Sequence, residues 1–247
     1  MPITSPNNET LKEVRKLAGR RWRDKTREFV AEGEDLIAAA DAAGWPPALL
    51  LREGVEIAPH LLKQVSQLGS GTRVLAVYGQ RWAPAPAGPL CVALWGVGDP
   101  GNVGTVLRAA LAFGASSVVM GPGTADPYGP KAVRASMGAV FAVPLARAGA
   151  VEDLPGRTVA LVARAGRPLW DVHEEEVTLV VGAEREGLPA EVVAGCDAVA
   201  HIPIRSESLN AAMAATVGLY EATRRPADAV SAAAAGAEGP STRVARP

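Results

Sequence analysis

Four polar side chains lie in short turns, and each turn follows an apolar run that is predicted to be a strand. They are Asn102, Glu184, Ser208 and Asn210, in turns that cover residues 98–102, 182–188 and 205–210. Because loops at the carboxyl ends of parallel strands form the ligand crevice of such sheets, the turns predict one shared site. Their mixture of polar, glycine and apolar residues suits a small zwitterionic ligand held partly by backbone groups. The alternative is ordinary turn chemistry, with Ser208 as a helix N-cap and Glu184 simply exposed.

Arg108 is the only charged residue between Pro100 and Ala125. It lies on a predicted helix whose apolar residues recur at helical spacing, and it projects away from that stripe. The fork of a guanidinium binds a phosphate or a carboxylate through two parallel hydrogen bonds. The alternative is a solvated helix arginine. The glycine-rich turn before the helix also predicts an open helix N-terminus, whose backbone N–H groups suit anions.

The sequence GVGDPG at residues 96–101 matches the glycine pattern of a dinucleotide-binding turn. That pattern requires an acidic residue at the end of the next strand, and residues 116–121 contain neither Asp nor Glu. Pro100 also stands where the helix of such a turn is already running, and the turn has no lysine that would make it a phosphate loop. We therefore do not favour a dinucleotide cofactor.

A basic run precedes the first predicted strand. Residues 11–28 hold eight basic and three acidic side chains, a local net charge of +5. Such a run is either a solvated helix face or a footprint for a nucleic-acid backbone, with Trp22 available to stack on a base or sugar. The net charge of the whole chain is −1, so any nucleic-acid site must be a local patch.

Composition excludes several classes of protein. Of the 247 residues, 48% are hydrophobic, enough for a sizeable core. Cys91 and Cys196 fit no zinc-binding spacing and are too few for a disulfide framework, so we expect two reduced cysteines and no metal. The N-terminus lacks the apolar stretch of a signal peptide, and no apolar run reaches the roughly 18 residues of a membrane span. We expect a soluble, cytoplasmic protein.

The elements that must position these residues alternate along the chain, which predicts an α/β fold with a mostly parallel sheet after residue 89. The strands predicted there are residues 90–95, 116–120, 141–145, 158–163, 178–181 and 198–204, with helices from residue 103 and at 130–137 and 208–224. A smaller α/β unit precedes them, with strands predicted at residues 29–31, 47–51 and 73–78 and helices at 36–43 and 61–68.

A Pro/Ala-rich segment at residues 80–88 separates the two units and predicts a domain boundary. We therefore divide the chain into an N-terminal domain (1–79), a linker (80–88), a larger domain (89–225) and a tail (226–247). The tail is rich in Ala, Gly and Pro and has little to bury, so we expect it to be disordered.

Taken together, the three turns resemble the motifs of the SpoU (TrmH-like) family of RNA 2′-O-ribose methyltransferases, part of the SPOUT superfamily. The first motif is Asn102-Val103-Gly104, with Arg108 six residues after Asn102. The second covers residues 179–188, with Gly182 and Glu184. The third is Ile202-Pro203-Ile204 followed by Ser208-Leu209-Asn210. Residues 126–141 are also similar to family sequences, and residues 11–78 resemble the family's N-terminal RNA-binding domain.

The resemblance implies an α/β methyltransferase domain with a C-terminal trefoil knot, S-adenosylmethionine as methyl donor, and a homodimer that completes the site across its interface. The implied catalytic residues are Arg108, Asn102, Glu184, Ser208 and Asn210. The implied cofactor-binding residues are Gly182, Ala183, Glu184, Ile202, Ile204, Leu209 and Asn210. The RNA-binding residues that we predict are Arg20, Arg21, Arg23, Lys25, Arg27, Lys131 and Arg134.

In this family Arg108 is the group expected to activate the ribose hydroxyl. An arginine guanidinium is effectively always protonated, so we favour a clamp on a substrate phosphate over a general base. Two departures from the family pattern bear on the cofactor pocket and on RNA choice: a shortened loop between Ile204 and Ser208, and Arg185 where a small residue is common. The alternative function is a knotted RNA-binding or ribosome-assembly protein without catalysis. The RNA itself, rRNA or tRNA, is left open.

Overall fold

The structure is a computed structural model that describes residues 2–67, 71–172 and 174–224. Within these ranges, no helix has both the length and the apolar character that are needed to cross a lipid bilayer. The tail that is predicted to be disordered, residues 226–247, lies outside the described residues.

The N-terminal part of the chain folds as a three-stranded antiparallel sheet in the order β1-β3-β2, with four helices. Its elements are α1 (Glu9–Lys16), α2 (Arg20–Thr26), β1 (Glu28–Glu32), α3 (Glu34–Ala42), β2 (Leu49–Arg52), α4 (Pro59–Val65) and β3 (Val74–Gly79). Leu11 and Val14 of α1 and Leu61 and Leu62 of α4 are buried in one cluster with Leu75 of β3. This face of the sheet therefore belongs to the N-terminal part alone.

The C-terminal part forms a seven-stranded sheet in which all described strand pairs are parallel, in the order β6-β5-β4-β9-β7-β10-β8. Its strands are β4 (Leu90–Trp95), β5 (Ser117–Met120), β6 (Leu145–Arg147), β7 (Arg157–Val162), β8 (Arg167–Pro168), β9 (Val177–Gly182) and β10 (Ala198–His201). Its α-helices are α5 (Pro100–Ala112), α6 (Pro130–Ala135), α7 (Ala139–Ala142), α8 (Ala190–Gly195) and α9 (Ala211–Thr223). All residues of β4 are buried, which explains its uninterrupted apolar sequence.

Several sequence-based boundaries were wrong. The helix predicted at residues 61–68 is α4, which ends at Val65. The strand predicted at residues 141–145 is instead the helix α7 followed by β6, which begins at Leu145. A short apolar run does not distinguish a buried helical turn from a strand, and Gly138 at φ +91° turns the chain into this helix. The last strand ends at His201 rather than residue 204, and the last helix begins at Ala211 rather than 208.

The two parts of the chain share one hydrophobic core through an interdomain joint. Phe29 and Trp45 of the N-terminal part meet Tyr128 and Phe141 of the C-terminal part, with ring centroids 4.7 Å apart for Phe29–Tyr128 and 5.2 Å for Trp45–Phe141. The Trp45 indole Nε1–H donates to the Phe141 carbonyl at 2.9 Å. We use "aromatic joint" for these four residues.

The segment 80–88 contains no helix or strand, but it is held in place by the C-terminal part. The Tyr128 hydroxyl donates to the Arg81 carbonyl and accepts from the Arg81 N–H at 3.1 Å. The Ala83 N–H donates to the Leu145 carbonyl at 2.7 Å, and the Trp82 ring packs edge-on against Tyr128. The segment is therefore a packed connection rather than a loose spacer.

Candidate active site

The three polar turns meet at the carboxyl edge of the parallel sheet. The Asn102 amide donates from Nδ2 to Glu184 Oε1, and the Asn210 amide donates from Nδ2 to Asn102 Oδ1 at 3.1 Å. Asn102 therefore links the turn after β4, the turn after β9 and the segment that leads into α9. We call Asn102, Glu184 and Asn210 the amide–carboxylate bridge.

Asn102 is placed by the first turn of α5. Asp99 is the N-cap, and its carboxylate accepts from the backbone N–H groups of Gly101 at 2.6 Å and Asn102 at 3.1 Å. Lys131 Nζ lies 2.6 Å from Asp99 Oδ2, and this bond lowers the pKa of Asp99, helped by the two backbone donors. The prediction that the N-terminus of α5 is open to anions is wrong, because the Asp99 carboxylate already accepts from these N–H groups.

Glu184 is placed by a tight turn that folds back over the end of β9. The backbone N–H of Ala183 donates to the Gly187 carbonyl at 3.1 Å, and the Gly187 N–H donates back at 3.0 Å. Gly182 lies beneath this turn, where a Cβ would come within 2.3 Å of the Gly187 carbonyl carbon. Only glycine at position 182 allows this close approach, so the glycine of the second motif has a steric reason.

Asn210 is the N-cap of α9. Its Oδ1 accepts from the N–H groups of Ala212 at 2.9 Å and Met213 at 3.3 Å, which directs its Nδ2 toward Asn102. The N-cap role considered for Ser208 is therefore taken by Asn210. Ser208 is exposed, and its backbone carbonyl accepts from the Ser206 hydroxyl at 3.3 Å.

A cavity of about 390 Å³ lies beside the bridge and has the size of a small-ligand site. The predicted cofactor-binding residues that line it are Gly182, Ala183, Glu184, Ile202, Ile204 and Leu209. Ser208 also lines the cavity, whereas Asn210 lies in the adjoining open cleft of about 640 Å³ with Asn102. Residues 183–186 line both spaces, so the cavity and the cleft meet at Glu184.

The lining of the cavity fits a nucleoside ligand that carries a positive charge. Leu161, Val181 and Ala214 supply apolar walls for a base, and the turn after β9 supplies backbone polar groups. The Glu184 carboxylate stands where the cavity opens into the cleft, and it attracts a cationic centre at that point. S-adenosylmethionine, with a purine at one end and a sulfonium near the middle, matches this distribution.

Arg108 is not brought to either space. It is exposed on α5, lines neither the cavity nor the cleft, and has no ion pair within the described part of the chain. The exposed apolar side chains of Leu111 on α5 and of Met213 and Tyr220 on α9 lie on two helices that pack together. We call Arg108, Leu111, Met213 and Tyr220 the α5–α9 face.

The predicted RNA-binding residues divide into an exposed group and one buried residue. The exposed residues are Arg20, Arg21, Lys25, Arg27, Lys131 and Arg134. Arg23 is buried: its Nε donates to Asp126 Oδ2 at 2.8 Å, and its Nη1 donates to the Leu17 and Ala18 carbonyls at 2.8 Å. We therefore remove Arg23 from the RNA-binding set, because its guanidinium is buried and held by Asp126 and two backbone carbonyls.

Trp22, expected to be free for stacking, is already covered in part. The Nζ atoms of Lys16 and Lys25 lie 4.5 and 4.6 Å from its ring centroid.

Sequence reasoning also missed the site role of Asp99, which holds the turn of Asn102. The signal was present, because an Asp followed by Pro marks an N-cap and the first helical residue.

Two family models match the chain. The model described as the SpoU rRNA Methylase family matches residues 89–220, and the one described as an MRM3-like substrate binding domain matches residues 8–81. The chain is 28% identical to the 23S rRNA (guanosine(2553)-2′-O)-methyltransferase RlmP of Bacillus subtilis, over 88% of this chain and 97% of that protein. It is 30% identical to the 23S rRNA (uridine(2479)-2′-O)-methyltransferase of Streptomyces viridochromogenes, over 90% and 92%.

Among solved structures, the chain is similar to an AdoMet-bound rRNA methyltransferase from Sinorhizobium meliloti. The TM-score is 0.82 at 33% identity, over 90% of this chain and 96% of that one. The similarity therefore covers both parts of the chain and the joint between them.

Proposed function

The chain belongs to the SpoU rRNA methylase family, and from this premise we propose how its residues carry out the reaction. The protein is an enzyme that uses S-adenosylmethionine to methylate a ribose 2′-OH of RNA. Its RNA is ribosomal, in the proposal, because two similar proteins are named for positions of 23S rRNA. Those two proteins are named for different nucleotides, so the target nucleotide of this chain has to be mapped separately.

The observation that carries the mechanism is the amide–carboxylate bridge at the mouth of the cavity. When bound, the cofactor supplies an electrophilic methyl group on a sulfonium. The cavity residues bind the nucleoside part, and Glu184 sits where the cavity meets the cleft. Asn102 and Asn210 line the cleft. Asn102 donates to Glu184 and Asn210 donates to Asn102, so we assign the two amides to orienting the ribose that enters from that side. Such positioning supplies much of the rate when two bound reactants must meet in line.

Arg108 is assigned to the phosphate next to the target ribose. Its fork geometry suits a phosphate, and its permanent charge makes it a poor proton acceptor. The 2′-OH proton then leaves to a phosphate oxygen or to water. The pH–rate profile of Arg108→Lys separates the two roles. We expect a lower rate with an unchanged profile, whereas a retained rate with a new titration at lower pH would establish Arg108 as the base.

A homodimer explains why Arg108 lies outside the cavity and the cleft of a single chain. Leu111, Met213 and Tyr220 are 47%, 61% and 52% exposed, and these three large apolar side chains lie on two helices that pack together. A second copy that covers the α5–α9 face would bury these side chains and enclose Arg108 together with them. We propose that the site is completed in this way. Equilibrium sedimentation of Leu111→Glu, expected to be monomeric and inactive, tests it.

The remaining assignments concern the two parts of the chain. We propose that residues 1–79 bind RNA through the exposed residues of the basic run, joined by Lys131 and Arg134 of the catalytic part. The fit of a substrate-binding family model to residues 8–81 supports this division, with residues 80–88 as the connection and the methyltransferase domain after them. The trefoil knot and the cytoplasmic location implied at the outset stay predictions.

The deciding experiment is methyl transfer from labelled S-adenosylmethionine to unmodified 23S rRNA and, separately, to tRNA. We expect label on 23S rRNA and its loss in Arg108→Ala. The control is Arg73→Ala, which should retain the label because Arg73 is an exposed residue just before β3 and outside the site. Label on tRNA alone would overturn the ribosomal assignment. No label and no cofactor binding by titration calorimetry would favour the non-catalytic RNA-binding protein.

A further inference from the structure

A second recess adjoins the cofactor cavity and has a different chemical character. It measures about 490 Å³ and shares Ala163, Ile202 and Ile204 with the cavity wall. Its polar lining consists of Arg164, His201, Arg205 and Ser206. None of these four belongs to the motif residues assigned above.

The sheet holds the walls of this recess close together. β7 and β10 are parallel neighbours with Val162 opposite His201, so the residues that follow both strands leave the sheet side by side. The chain after β7 then presses onto β10 at Gly166, where φ is +77° and a Cβ would come within 2.0 Å of the Val199 carbonyl oxygen. β8 next pairs with β10, with Pro168 opposite His201. Arg164 is therefore fixed beside the start of the shortened third-motif loop that carries Arg205.

The two arginines of the recess are free cations. Arg164 and Arg205 are exposed, and neither has a carboxylate within 4.0 Å in the described part of the chain. Nearby arginines differ: Arg157 and Arg167 lie 2.9 and 3.5 Å from Glu174. Glu174 thus pairs with two arginines, whereas Arg164 and Arg205 have no carboxylate partner in the described part of the chain.

His201 adds a buried polar atom that has no partner. Its Nδ1 is inaccessible to solvent and makes no hydrogen bond within the described residues. Because solvent does not reach this Nδ1, the atom is not available to a ligand in the recess, and His201 contributes to its wall. Ser206 also lines the recess, and its hydroxyl donates to the Ser208 carbonyl at 3.3 Å in the unliganded chain.

We propose that Arg164, Arg205 and Ser206, in the recess that His201 also lines, bind a backbone phosphate of the substrate RNA, next to the nucleotide whose ribose enters the cleft. This assignment rests on the proposed function. Two guanidinium forks and a hydroxyl match the oxygens of a phosphate diester, which present several acceptors at once. The recess and the cofactor cavity share a wall, so an RNA held in the recess is anchored within one cavity's width of the methyl donor.

The same oxyanion chemistry has one other source, the carboxylate of the cofactor. A phosphate diester and a carboxylate carry the same single negative charge, so charge alone does not distinguish them. We favour the RNA phosphate because the recess is open to solvent along exposed loop residues, where an extended polynucleotide can reach it. The two sources predict different losses when the arginines are removed. If the recess binds the RNA phosphate, removing the arginines lowers RNA affinity. If it binds the cofactor carboxylate, removing them lowers cofactor affinity.

The test measures binding of an unmodified 23S rRNA transcript over a series of salt concentrations, using the full-length chain. The variants are Arg164→Ala, Arg205→Ala and their combination, with Arg164→Lys as the conservative change and Arg73→Ala as the matched exposed arginine. Each lost phosphate contact lowers the slope of log affinity against log salt by about 0.7 to 0.9. We expect that decrease in each single variant, about twice it in the double variant, and none in Arg73→Ala.

Cofactor titration and steady-state kinetics accompany the RNA measurement. We expect unchanged cofactor affinity, a raised KM for RNA and a largely retained kcat. A weaker cofactor affinity with an unchanged salt slope assigns the recess to the carboxylate and overturns the proposal, as does a slope equal to that of Arg73→Ala. Wild-type protein that binds the transcript but transfers no methyl group contradicts the proposed function instead, and the salt slopes still decide whether the recess contacts phosphate.

Discussion

The joint between the two parts of the chain and the candidate active-site crevice are both places where distant residues meet. They differ in the interactions that connect those residues. At the joint, buried aromatic rings contact one another, with Trp45 and Phe141 edge to face and Phe29 and Tyr128 tilted. A buried Arg23–Asp126 ion pair, with 5% and 10% exposed side chains, also crosses the interface. At the crevice, three turns are joined by two side-chain hydrogen bonds of Asn102, and Asn210 is exposed. The comparison teaches that the buried contacts that stabilise the fold lie in one place and the residues that we propose for the chemistry lie in another. Changes at the joint should affect folding, and changes at the crevice should affect the rate.

The largest effect should follow from Phe141→Ala. Phe141 is 5% exposed and contacts Phe29, Trp45 and Tyr78. Deleting a buried phenyl ring removes apolar contact and leaves a cavity, which lowers the free energy of unfolding by about 3 to 5 kcal/mol. Urea unfolding followed by tryptophan fluorescence measures it. Trp170→Ala, at an aromatic residue that is 47% exposed, is the control and should change much less.

Next in size is Arg23→Ala, which breaks the ion pair of the joint. It leaves the Asp126 carboxylate and two backbone carbonyls without their donor, a loss of about 3 kcal/mol or more in unfolding free energy. The control lies on the same helix: Arg20→Ala removes only an exposed pair with Asp24 at 3.7 Å and should change stability by under about 1 kcal/mol. Equal losses of unfolding free energy in Arg23→Ala and Arg20→Ala would mean that the Arg23–Asp126 pair does not stabilise the joint.

Asn102→Ala should separate rate from stability. The variant removes both hydrogen bonds of the bridge, so the three turns lose their common partner. We expect the methyl-transfer rate at saturating substrates to fall on the order of 100-fold, the penalty typical of a misplaced reacting group. Unfolding free energy should change by less than about 1 kcal/mol. Thr105→Ala, an exposed position of the same helix, should keep both. A destabilisation as large as that of Phe141→Ala would remove the distinction between crevice and joint.

The smallest effect should come from Asp99→Ala, which removes the N-cap of α5. Loss of such a cap lowers unfolding free energy by about 1 kcal/mol, well below the effects at the joint. Asp99→Asn keeps a side-chain acceptor for the helix N–H groups and loses the ion pair with Lys131. It should recover most of the stability, because exposed ion pairs contribute little. Parallel urea titrations of the two variants separate the cap from the charge.

The crevice was predictable from sequence because each of its residues belongs to a short local motif. Asn102, Glu184 and Asn210 follow or precede elements of clear periodicity, and the parallel sheet brings their turns to one edge. The joint was not predictable in this way. Phe29 and Phe141 are separated by more than a hundred positions, and an apolar residue carries no mark of its partner. The same limit applies to the strand predicted at residues 141–145. This apolar run includes Phe141, which contacts Phe29 and Trp45 of the N-terminal part, and the sequence does not mark that contact.

Arg23 shows the same limit for a charged residue. Within the basic run it is one of eight cations, and composition treats all eight alike. Its burial depends on Asp126, which is distant in sequence and stands in a loop of the other domain. Arg108 shows the reverse case. Its place in a local motif was clear, but in the homodimer that we propose it meets the rest of the site only when a second chain is added.

The aromatic joint also determines what the enzyme can measure. With these rings packed together and the connecting segment bonded to the C-terminal part, α2 of the basic run and the crevice are kept at a constant separation. In the function that we propose, a ribose is then selected by its distance in space from the RNA surface that α2 binds. We expect an RNA helix lengthened between those two points to bind normally and to escape methylation.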